Sequence, residues 1–475
     1  MTTFSLLPEN LHRLDFAGKH VLFHVPTSGL FELDEVGGAV LDAFQEIDSA
    51  DPETLCDALE GRFKREVVEE MIEEFLSLDI LGCPSQGVEA KTLEIENYPL
   101  STMALNVNTG CNLSCSYCYK EDLEAPSSGR KMDAETAFRS VDLLLEQAAD
   151  RDRVNIVFFG GEPLTNMALI RAVVDYAKHV TAKAGKKVDF SLTTNATLLN
   201  DELIDYFQAH RFGLTISMDG PKALHDKNRR TVGGKGTYDV VSEKVKNLLA
   251  RYTARPVGAR VTLTAGVTDV EAIHHHLKNE MGFFEVGFAP VTAADDAFAL
   301  NDAELAEVFA GMKRLGEDYI SGAIEGYNNG FGNMHQVVTD IVEGTHKVLP
   351  CGAGVGMLAT DAEGDLHLCH RFVGSKQTTY GNVETGIDGE NLSQFLKSTV
   401  ERRSTDCGTC RIRNICAGGC YHESYARHGD ATASTHHYCE TLREWVDFGI
   451  EAYARIQNGN PGFFSRHIEP RRTLS

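Results

Sequence analysis

The sequence predicts an α/β protein organised around a partial (β/α)6 barrel, and two observations support that prediction. First, six apolar segments between residues 100 and 310 alternate with segments whose apolar residues recur at helical spacing. Six such units imply a parallel sheet with right-handed crossovers, curled into part of a barrel. Second, each unusual motif directly follows a strand, at the rim where such barrels place their chemistry. The candidate strands are MALNVNTG, NIVFFGGEP, DFSLTTNAT, GLTISMDG, ARVTLTAGV and FEVGFAPV.

The composition limits the expected partners and compartment. The chain has 475 residues, which suggests about three domains, and a formal net charge of −24. Phosphate backbones and anionic lipid repel such a chain, so neither nucleic acid nor a membrane is an expected partner. No apolar run approaches the roughly 18 residues of a membrane span, and MTTFSLLPENLHRLD at the N-terminus does not resemble a signal peptide. We therefore expect a cytoplasmic protein.

Residues 1–90 are predicted to form a separate, winged-helix-like unit. HVLFHV (20–25) and GLFELD (29–34) have the composition of two strands joined by a turn, and three segments of helical periodicity follow. An acidic, polar linker, 84–99, leads into the barrel at 100–310. Because 51–90 is rich in Asp and Glu, a DNA-binding role is disfavoured, whereas a dimerisation or packing role stays open.

The remaining chain divides into a helical connector at 311–350, a cysteine-rich domain at 351–450 and a polar C-terminal tail at 451–475. The twelve cysteines are unevenly placed, with three at 111–118 and seven between 351 and 439. Clusters of this kind in a reducing compartment favour metal binding over disulfides. Cys56 and Cys83 are isolated and are predicted to be packed thiols, and HHH at 274–276 is predicted to be a solvated helix face.

The first cluster, Cys111, Cys115 and Cys118, has the spacing C-x3-C-x2-C in the loop after the first barrel strand. Such a loop can supply three thiolates to one face of a [4Fe–4S] cube, because soft thiolates suit iron–sulfur clusters. Three ligands then leave one iron open to a small molecule. A zinc site completed by a distant ligand and three buried thiols are the alternatives that spacing alone leaves open.

This loop, with an aromatic residue before its last cysteine, resembles the signature of radical S-adenosylmethionine (SAM) enzymes. The resemblance implies that the open iron binds the amino and carboxylate groups of SAM. FFGGEP (158–163) resembles the segment that holds the cofactor's amino group, and TTNAT (193–197) lies where ribose contacts are found, with Ala196 in place of the more usual Gly. SMDG (217–220) and HDKNR (225–229) also match, and the arginine of HDKNR would pair bidentately with the cofactor carboxylate. The implied cofactor contacts are Tyr117, Gly160, Gly161, Glu162, Pro163, Thr194, Asn195, Ser217, Asp219 and Arg229.

The second cluster of cysteines has short spacings that alone could describe a zinc ribbon. As a whole, however, the string from 351 to 439 resembles the seven-cysteine SPASM extension that follows many radical SAM domains. The resemblance implies two auxiliary [4Fe–4S] clusters, and therefore three clusters in the chain. The nearer one would be held by Cys351, Cys369 and Cys420, and the farther one by Cys407, Cys410, Cys416 and Cys439.

Two positions depart from the pattern of the related anaerobic sulfatase-maturating enzymes. An additional cysteine of those enzymes lies six residues after the first, where this chain has Met357, so the nearer auxiliary cluster lacks a fourth thiolate. We hypothesise that a cysteine of the substrate fills that corner. A carboxylate base of those relatives is replaced by His370, which can accept a proton near neutral pH or donate a hydrogen bond to cluster sulfur.

The N-terminal unit resembles the peptide-binding element of enzymes that modify ribosomally made peptides, which add a leader segment to a sheet edge. Together, the three parts resemble the maturation enzymes of quinohemoprotein amine dehydrogenase. That resemblance implies thioether bonds between Cys sulfur and the methylene carbon of Asp or Glu in the small γ subunit. It also implies an electron donor such as flavodoxin or ferredoxin. The alternatives are a formylglycine-generating sulfatase-maturating enzyme and a non-catalytic zinc or iron–sulfur scaffold that binds peptides.

Overall fold

The computed structural model describes residues 3–16, 18–82, 100–119, 129–148, 151–292, 297–401, 407–433 and 438–468. Cys83, the predicted linker 84–99 and the two histidines before Tyr438 lie outside the described residues. Within the described ranges, every helix is too short or too polar to cross a lipid bilayer.

The N-terminal unit contains a three-stranded antiparallel sheet and three helices. The predicted strands at 20–25 and 29–34 are present, but the sheet has a further edge strand that was not predicted. That strand, LHRLDF, has its apolar residues at Leu11, Leu14 and Phe16, so no two-residue alternation marks it. The elements are β1 (Ser5–Leu6), β2 (Leu11–Phe16), β3 (Lys19–His24), β4 (Gly29–Glu32), α1 (Glu35–Glu46), α2 (Pro52–Ala58), α3 (Arg65–Ser77) and β5 (Leu81–Gly82), with β1 and β5 paired.

The central sheet confirms the predicted α/β class and the partial barrel. All six predicted strands are present and pair in parallel in the order β11-β10-β9-β8-β7-β6. The strands are β6 (Thr102–Asn108), β7 (Arg153–Gly160), β8 (Lys187–Thr194), β9 (Gly213–Ser217), β10 (Val257–Leu263) and β11 (Glu285–Pro290). The helices between them are α4 (Ala134–Gln147), α5 (Met167–Lys183), α6 (Asp201–His210), α7 (Lys222–Asn228), α8 (Tyr238–Arg251) and α9 (Val270–His275), which continues into a π-helical turn at His276–Met281.

Alternation along the strands separates two faces of this sheet. On β7, for example, Val154, Ile156 and Phe158 are buried, whereas the residues between them are only partly buried. The buried set packs in the main core with apolar residues of α4 and α5. The other set lines the inner face of the curled sheet, which we call the lumen. Side chains that cap helix N-termini, such as Asn200 before α6, accept a backbone N–H and fix where those helices begin.

The connector and the cysteine-rich region extend the barrel at one edge. Strand β12 pairs in parallel with β6, and β13 pairs antiparallel with β12, so the sheet has eight strands. Helix α10 begins with a capping box between Asn301 and Glu304. The elements are α10 (Asp302–Glu325), α11 (Gly332–Val342), β12 (Met357–Thr360), β13 (Leu366–His367), β14 (Gly381–Asn382), β15 (Gly386–Ile387), α12 (Gly389–Glu401), α13 (Arg413–Cys416), α14 (Tyr421–His428), α15 (Cys439–Gly459) and α16 (Gly462–His467).

The N-terminal unit contacts the cysteine-rich region directly. Arg413 Nη2 donates to Asn10 Oδ1 at 2.7 Å, and Asn414 Nδ2 donates to the Val25 carbonyl at 2.5 Å. His12 Nε2 lies 3.0 Å from Asp447 Oδ1 on α15. Because Arg413 and Asn414 are on α13, which ends at Cys416, the unit is hydrogen-bonded to a helix that carries one of the predicted cluster ligands.

Two expectations from the sequence are wrong. The segment after 450 is not a polar tail up to residue 468, because α15 continues to Gly459 and the following α16 buries Phe463 and Phe464. The HHH segment is not a solvated face either. His274 and His276 are buried, and only His275 is exposed. Burial lowers the pKa of His274 to about 4, so it is a neutral core residue at physiological pH.

Candidate active site

The loop with the first three cysteines follows β6 and is held by the C-terminal end of α7 and by the end of β8. Ser114 N donates to the Arg230 carbonyl at 2.8 Å, and Ser116 N donates to the Asn228 carbonyl at 3.1 Å. On the other side, Asn195 Nδ2 lies 3.8 Å from Cys111 Sγ. The loop therefore has a defined backbone path before any metal is considered.

The three thiols of this loop are partly buried and lie near one another. Burial raises the pKa of Cys111 to about 11 and that of Cys115 to about 12, and the neighbouring Cys118 adds to both shifts. No three His, Cys, Asp or Glu side chains in the described ranges converge on a point suited to a single metal ion. A cube carries each ligand on a different iron, so its ligands surround a volume, and three grouped soft thiols fit that donor set.

The glycines of FFGGEP allow the next strand end to approach this loop. Gly160 has φ +142°, and a Cβ there would lie 2.2 Å from the Asn108 carbonyl oxygen. A Cβ on Gly161 would lie 2.2 Å from the Gly110 carbonyl oxygen. Both contacts are far inside van der Waals distance, so only glycine fits. The approach lets Gly161 N donate to the Asn108 carbonyl at 2.8 Å.

Glu162 connects the predicted cofactor contacts to one another. It is 1% exposed, and its Oε1 accepts from Thr194 Oγ1 at 2.7 Å and from Leu164 N at 3.0 Å. Its Oε2 accepts from Asn195 N at 2.8 Å. Burial raises the pKa of Glu162 to about 7 against the effect of these donors. A carboxylate has about four acceptor positions, so this group retains capacity for an ammonium group. The neighbouring Pro163 begins a 3₁₀ turn.

The residue that departs from the ribose motif sits in an unusual backbone conformation. Ala196 has φ +63°, in the left-handed region where Gly is favoured, and it is fully buried. Its N–H donates to Thr194 Oγ1 at 3.0 Å. The local turn thus explains why Gly is more usual at this position and shows that Ala adopts the same conformation here.

Arg229 is held through one edge of its guanidinium by a residue of this chain. Its Nε lies 2.8 Å from Asp219 Oδ2 and its Nη2 lies 3.2 Å from Asp219 Oδ1. Tyr117 donates its hydroxyl to Asp219 Oδ2 at 2.6 Å, and Thr262 N donates to Asp219 Oδ1 at 3.0 Å. Burial lowers the pKa of Arg229, but the negative charge of Asp219 outweighs it and the net shift is upward. Asp219 thus takes the Nε–Nη2 edge of the guanidinium, and the Nη1–Nη2 edge keeps N–H donors for a second carboxylate, so the contact with the cofactor carboxylate stays a prediction. Ser217, two residues before Asp219, is the last residue of β9.

The remaining predicted cysteines fall into two spatial sets. The pKa of Cys369 is raised to about 12, first by burial and then by the charges of Cys420 and Cys351. The pKa of Cys416 is raised to about 11, first by burial and then by three other cysteines, namely Cys410, Cys407 and Cys439. These neighbours are the members of the two predicted ligand sets, which the fold thus brings together.

Two charged or aromatic residues near the nearer set were not singled out from the sequence. Arg371 Nη1 lies 3.8 Å from Cys420 Sγ, and its guanidinium lies 4.9 Å from the ring centre of Tyr119. Tyr119 directly follows Cys118, so it lies between the first and the nearer auxiliary set. The sequence contains one indication of their importance, because each of the two residues directly follows a predicted site residue.

The structure also shows the surroundings of His370 and Met357, the two residues that depart from the sulfatase-maturating pattern. The His370 ring lies 3.9 Å, centre to centre, from that of Phe159 in FFGGEP, at the mouth of the lumen. Met357 N donates to the Gly352 carbonyl at 2.8 Å, so Met357 is close in space to the loop that begins with Cys351. Cys56, by contrast, is packed in the core of the N-terminal unit as predicted, with 5% exposure.

Comparison with known proteins matches two segments of the chain to protein families. Residues 105–278 match the Radical SAM superfamily. This chain contains a radical SAM domain. Residues 19–78 match coenzyme PQQ synthesis protein D (PqqD), so the radical SAM domain is preceded by a PqqD-like domain. The second match covers β3, β4 and the three helices of the N-terminal unit.

Relatives and solved structures support the same architecture. A cysteine-type anaerobic sulfatase-maturating enzyme of Clostridium perfringens is 23% identical over 384 residues, which is 76% of this chain and 99% of that enzyme. The structure of native anSMEcpe with bound AdoMet matches with a TM-score of 0.64 and 20% identity, over 76% of this chain and 100% of that one. Streptococcus suis SuiB bound to the precursor peptide SuiA matches with a TM-score of 0.53 and 16% identity, over 92% of this chain and 100% of that one. At these identities the structural matches establish the fold.

Proposed function

We propose that this chain is a radical SAM enzyme that forms thioether cross-links in a ribosomally made protein, the small γ subunit of quinohemoprotein amine dehydrogenase. The bond joins a Cys sulfur to the methylene carbon of an Asp or Glu. One observation carries the proposal. A PqqD-like domain, a radical SAM domain and three spatial sets of cysteines occur in one chain, and the first is hydrogen-bonded to helix α13 beside the third set.

The proposed cofactors fit the residues that are present. Cys111, Cys115 and Cys118 would hold the first [4Fe–4S] cluster, and the two later sets would hold the auxiliary clusters. Glu162 and Asn195 would contact SAM. When it is bound and cleaved, SAM supplies a 5′-deoxyadenosyl radical that can take hydrogen from an unactivated methylene group. The substrate thiol is proposed to lose its proton to His370, and the surplus electron to leave through the auxiliary clusters, while flavodoxin or ferredoxin supplies reducing electrons.

The edge of β4 is the proposed site for the substrate's leader segment. Leu33 N donates to the His20 carbonyl, so by antiparallel alternation the backbone groups of Leu30 and Glu32 point away from β3. Strand β4 is the last strand of its sheet, and Phe31 is exposed there. A peptide added in this way gains main-chain hydrogen bonds. SuiB, whose solved structure contains a bound precursor peptide, offers a parallel for peptide binding by a similar fold.

Formylglycine formation is the second candidate, and the 23% identity with a sulfatase-maturating enzyme over 76% of this chain favours it. Met357 and His370 count against it, since they replace the additional cysteine and the carboxylate base of that group. A peptide-binding scaffold without activity is the third candidate.

Anaerobic incubation of the reconstituted enzyme with SAM, dithionite and the γ-subunit polypeptide tests the proposal by fragmentation mass spectrometry. Thioether formation removes two hydrogen atoms per bond and blocks fragmentation between the joined residues. Formylglycine formation from cysteine instead replaces the thiol by an aldehyde oxygen. The scaffold reading predicts no change in the polypeptide and no 5′-deoxyadenosine. A γ-subunit polypeptide of unchanged mass, in a reaction that releases 5′-deoxyadenosine, would overturn the proposed substrate.

A further inference from the structure

Arg260 is a cationic side chain on the lumen face of the barrel. Along β10, Val257, Ala259, Val261 and Leu263 are buried toward the core, so the intervening Arg260 faces the lumen, where solvent reaches it. It is in register with Ser217 on β9 and with Gly287 on β11.

The guanidinium extends over the glycine of the neighbouring strand. A Cβ built on Gly287 would lie 3.5 Å from Arg260 Nη1. That distance is ordinary van der Waals contact, so the guanidinium lies directly beside the backbone of Gly287. Because Gly287 has no side chain, none from this register position of β11 covers the guanidinium.

Within the described residues, the Arg260 side chain makes no hydrogen bond or ion pair. The other arginines of the barrel interior are paired. Arg153 and Arg255 each lie 2.8 Å from Asp189 at the opposite end of the barrel, and Arg229 is held by Asp219. Solvent reaches the Arg260 side chain, but the protein atoms that surround it in the lumen lower its pKa, and the positive charge of Arg371 lowers the pKa further. A cation in this setting lacks a counter-charge, so binding of an anion there is favourable.

We propose that Arg260 binds a carboxylate of the peptide substrate, namely the Asp or Glu side chain that receives the cross-link. The inference rests on the proposed function and names the group that the site recognises. A guanidinium holds a carboxylate with two parallel hydrogen bonds, which fixes its orientation as well as its position. In Asp the methylene carbon carries the carboxylate directly, so holding the carboxylate positions the carbon that reacts.

SAM also carries a carboxylate of the kind that a guanidinium binds. The surroundings of Arg260 favour the peptide carboxylate over that of SAM. Arg371 belongs to the cysteine-rich region and lies beside Cys420 of the nearer auxiliary set. Its charge acts on Arg260, so the positive field extends from β10 toward the auxiliary side of the lumen. A substrate whose sulfur reaches the nearer auxiliary set would cross this field, and an acidic side chain is the group that the field attracts.

Arginine labelling of the wild-type holoenzyme tests this without turnover. The reconstituted protein is treated anaerobically with phenylglyoxal, with and without SAM, and modified arginines are located by peptide mapping. Two probes are then compared, N-acetylglutamate N-methylamide and its glutamine counterpart. Arg260 should be labelled in the SAM-loaded protein. An excess of the glutamate probe should slow that labelling about tenfold, as expected when a carboxylate occupies the guanidinium, and the glutamine probe should not.

Two arginines of the same chain serve as internal references. Arg230 is exposed and should be labelled equally in every sample, whereas the buried Arg229 should resist labelling throughout. Full protection of Arg260 by SAM alone would assign the site to the cofactor and overturn the inference. Equal protection by both probes, or by neither, would also overturn it. Because labelling requires no turnover, its outcome is separate from that of the cross-linking assay, which tests the proposed function.

Discussion

The two cysteine regions of this chain are organised in different ways. The first loop is held by backbone hydrogen bonds to the ends of α7 and β7 and by close contacts that only Gly160 and Gly161 permit. The seven later cysteines lie in loops or at the ends of helices α13, α14 and α15, and one of them, Cys351, is exposed. The difference indicates that the barrel forms the first site before metal binds, whereas the auxiliary region depends more on its clusters for a fixed shape.

Gly160→Ala is the substitution expected to affect the first site most. The added Cβ would lie 2.2 Å from the Asn108 carbonyl oxygen, and a φ of +142° is strongly unfavourable for Ala. The GGEP segment must therefore move. We expect SAM cleavage, measured as 5′-deoxyadenosine release, to fall about 100-fold or more. Gly185→Ala is the matched control, since it also has positive φ but no atom within 4 Å, and it should cost only about 1 kcal/mol of stability. Equal activity of the two variants would contradict the packing argument.

Removing iron should destabilise the auxiliary cysteine region and leave the barrel folded. After anaerobic chelation, hydrogen exchange followed by mass spectrometry should show lost protection in the segments around 351–369 and 407–439. Strands β7 to β10 should stay protected, because their ladder hydrogen bonds run only to neighbouring strands of the barrel. Simultaneous loss of protection in the barrel strands would show that the two regions are equally dependent on metal.

Arg371→Gln should change the electronic properties of the nearer auxiliary cluster. Loss of a positive charge 3.8 Å from Cys420 Sγ disfavours the reduced, more negative state, so the midpoint potential should fall by roughly tens of millivolts. EPR-monitored redox titration measures this shift. Arg443→Gln is the matched control, because Arg443 hydrogen-bonds to Cys410 and should move only the farther cluster. If both variants keep the midpoint potentials of the wild-type clusters, these arginines do not tune the clusters as proposed.

The smallest expected effects come from two alanines with positive φ, one in each region. Ala196 has φ +63° and Ala417 has φ +50°. Glycine relieves the strain but adds unfolded-state entropy, so each change should alter the free energy of unfolding by about 1 kcal/mol or less. Ala196→Gly should have the same effect with and without iron in urea titrations. Ala417→Gly should change the free energy of unfolding only in the iron-loaded protein. An equal change in the iron-free protein would contradict the stronger dependence of the auxiliary region on its clusters.

The barrel could be predicted from the sequence because its strands and motifs are each recognised within a short, continuous segment. Six apolar segments, four of them followed by a motif, correspond to six observed strands, and the grouping of cysteines follows from spacing. Strand β2 was missed because an edge strand such as LHRLDF needs no clean alternation. The pairing of Arg229 with Asp219 and the lack of a partner for Arg260 among the described residues could not be predicted, since both depend on which side chains different strands bring together. The burial of Phe463 and Phe464 is likewise decided by tertiary packing.

The central claim, that Cys111, Cys115 and Cys118 hold a [4Fe–4S] cluster at which SAM is cleaved, is tested most directly with Cys115→Ala. Cys56→Ala, which removes a thiol packed in the N-terminal core, is the control. After anaerobic reconstitution, Cys115→Ala should lose about four irons per chain relative to the control. It should also lose the SAM-dependent change in its EPR spectrum and release no 5′-deoxyadenosine with dithionite. A Cys115→Ala protein that retains the control's iron content, spectrum and 5′-deoxyadenosine release would contradict the account.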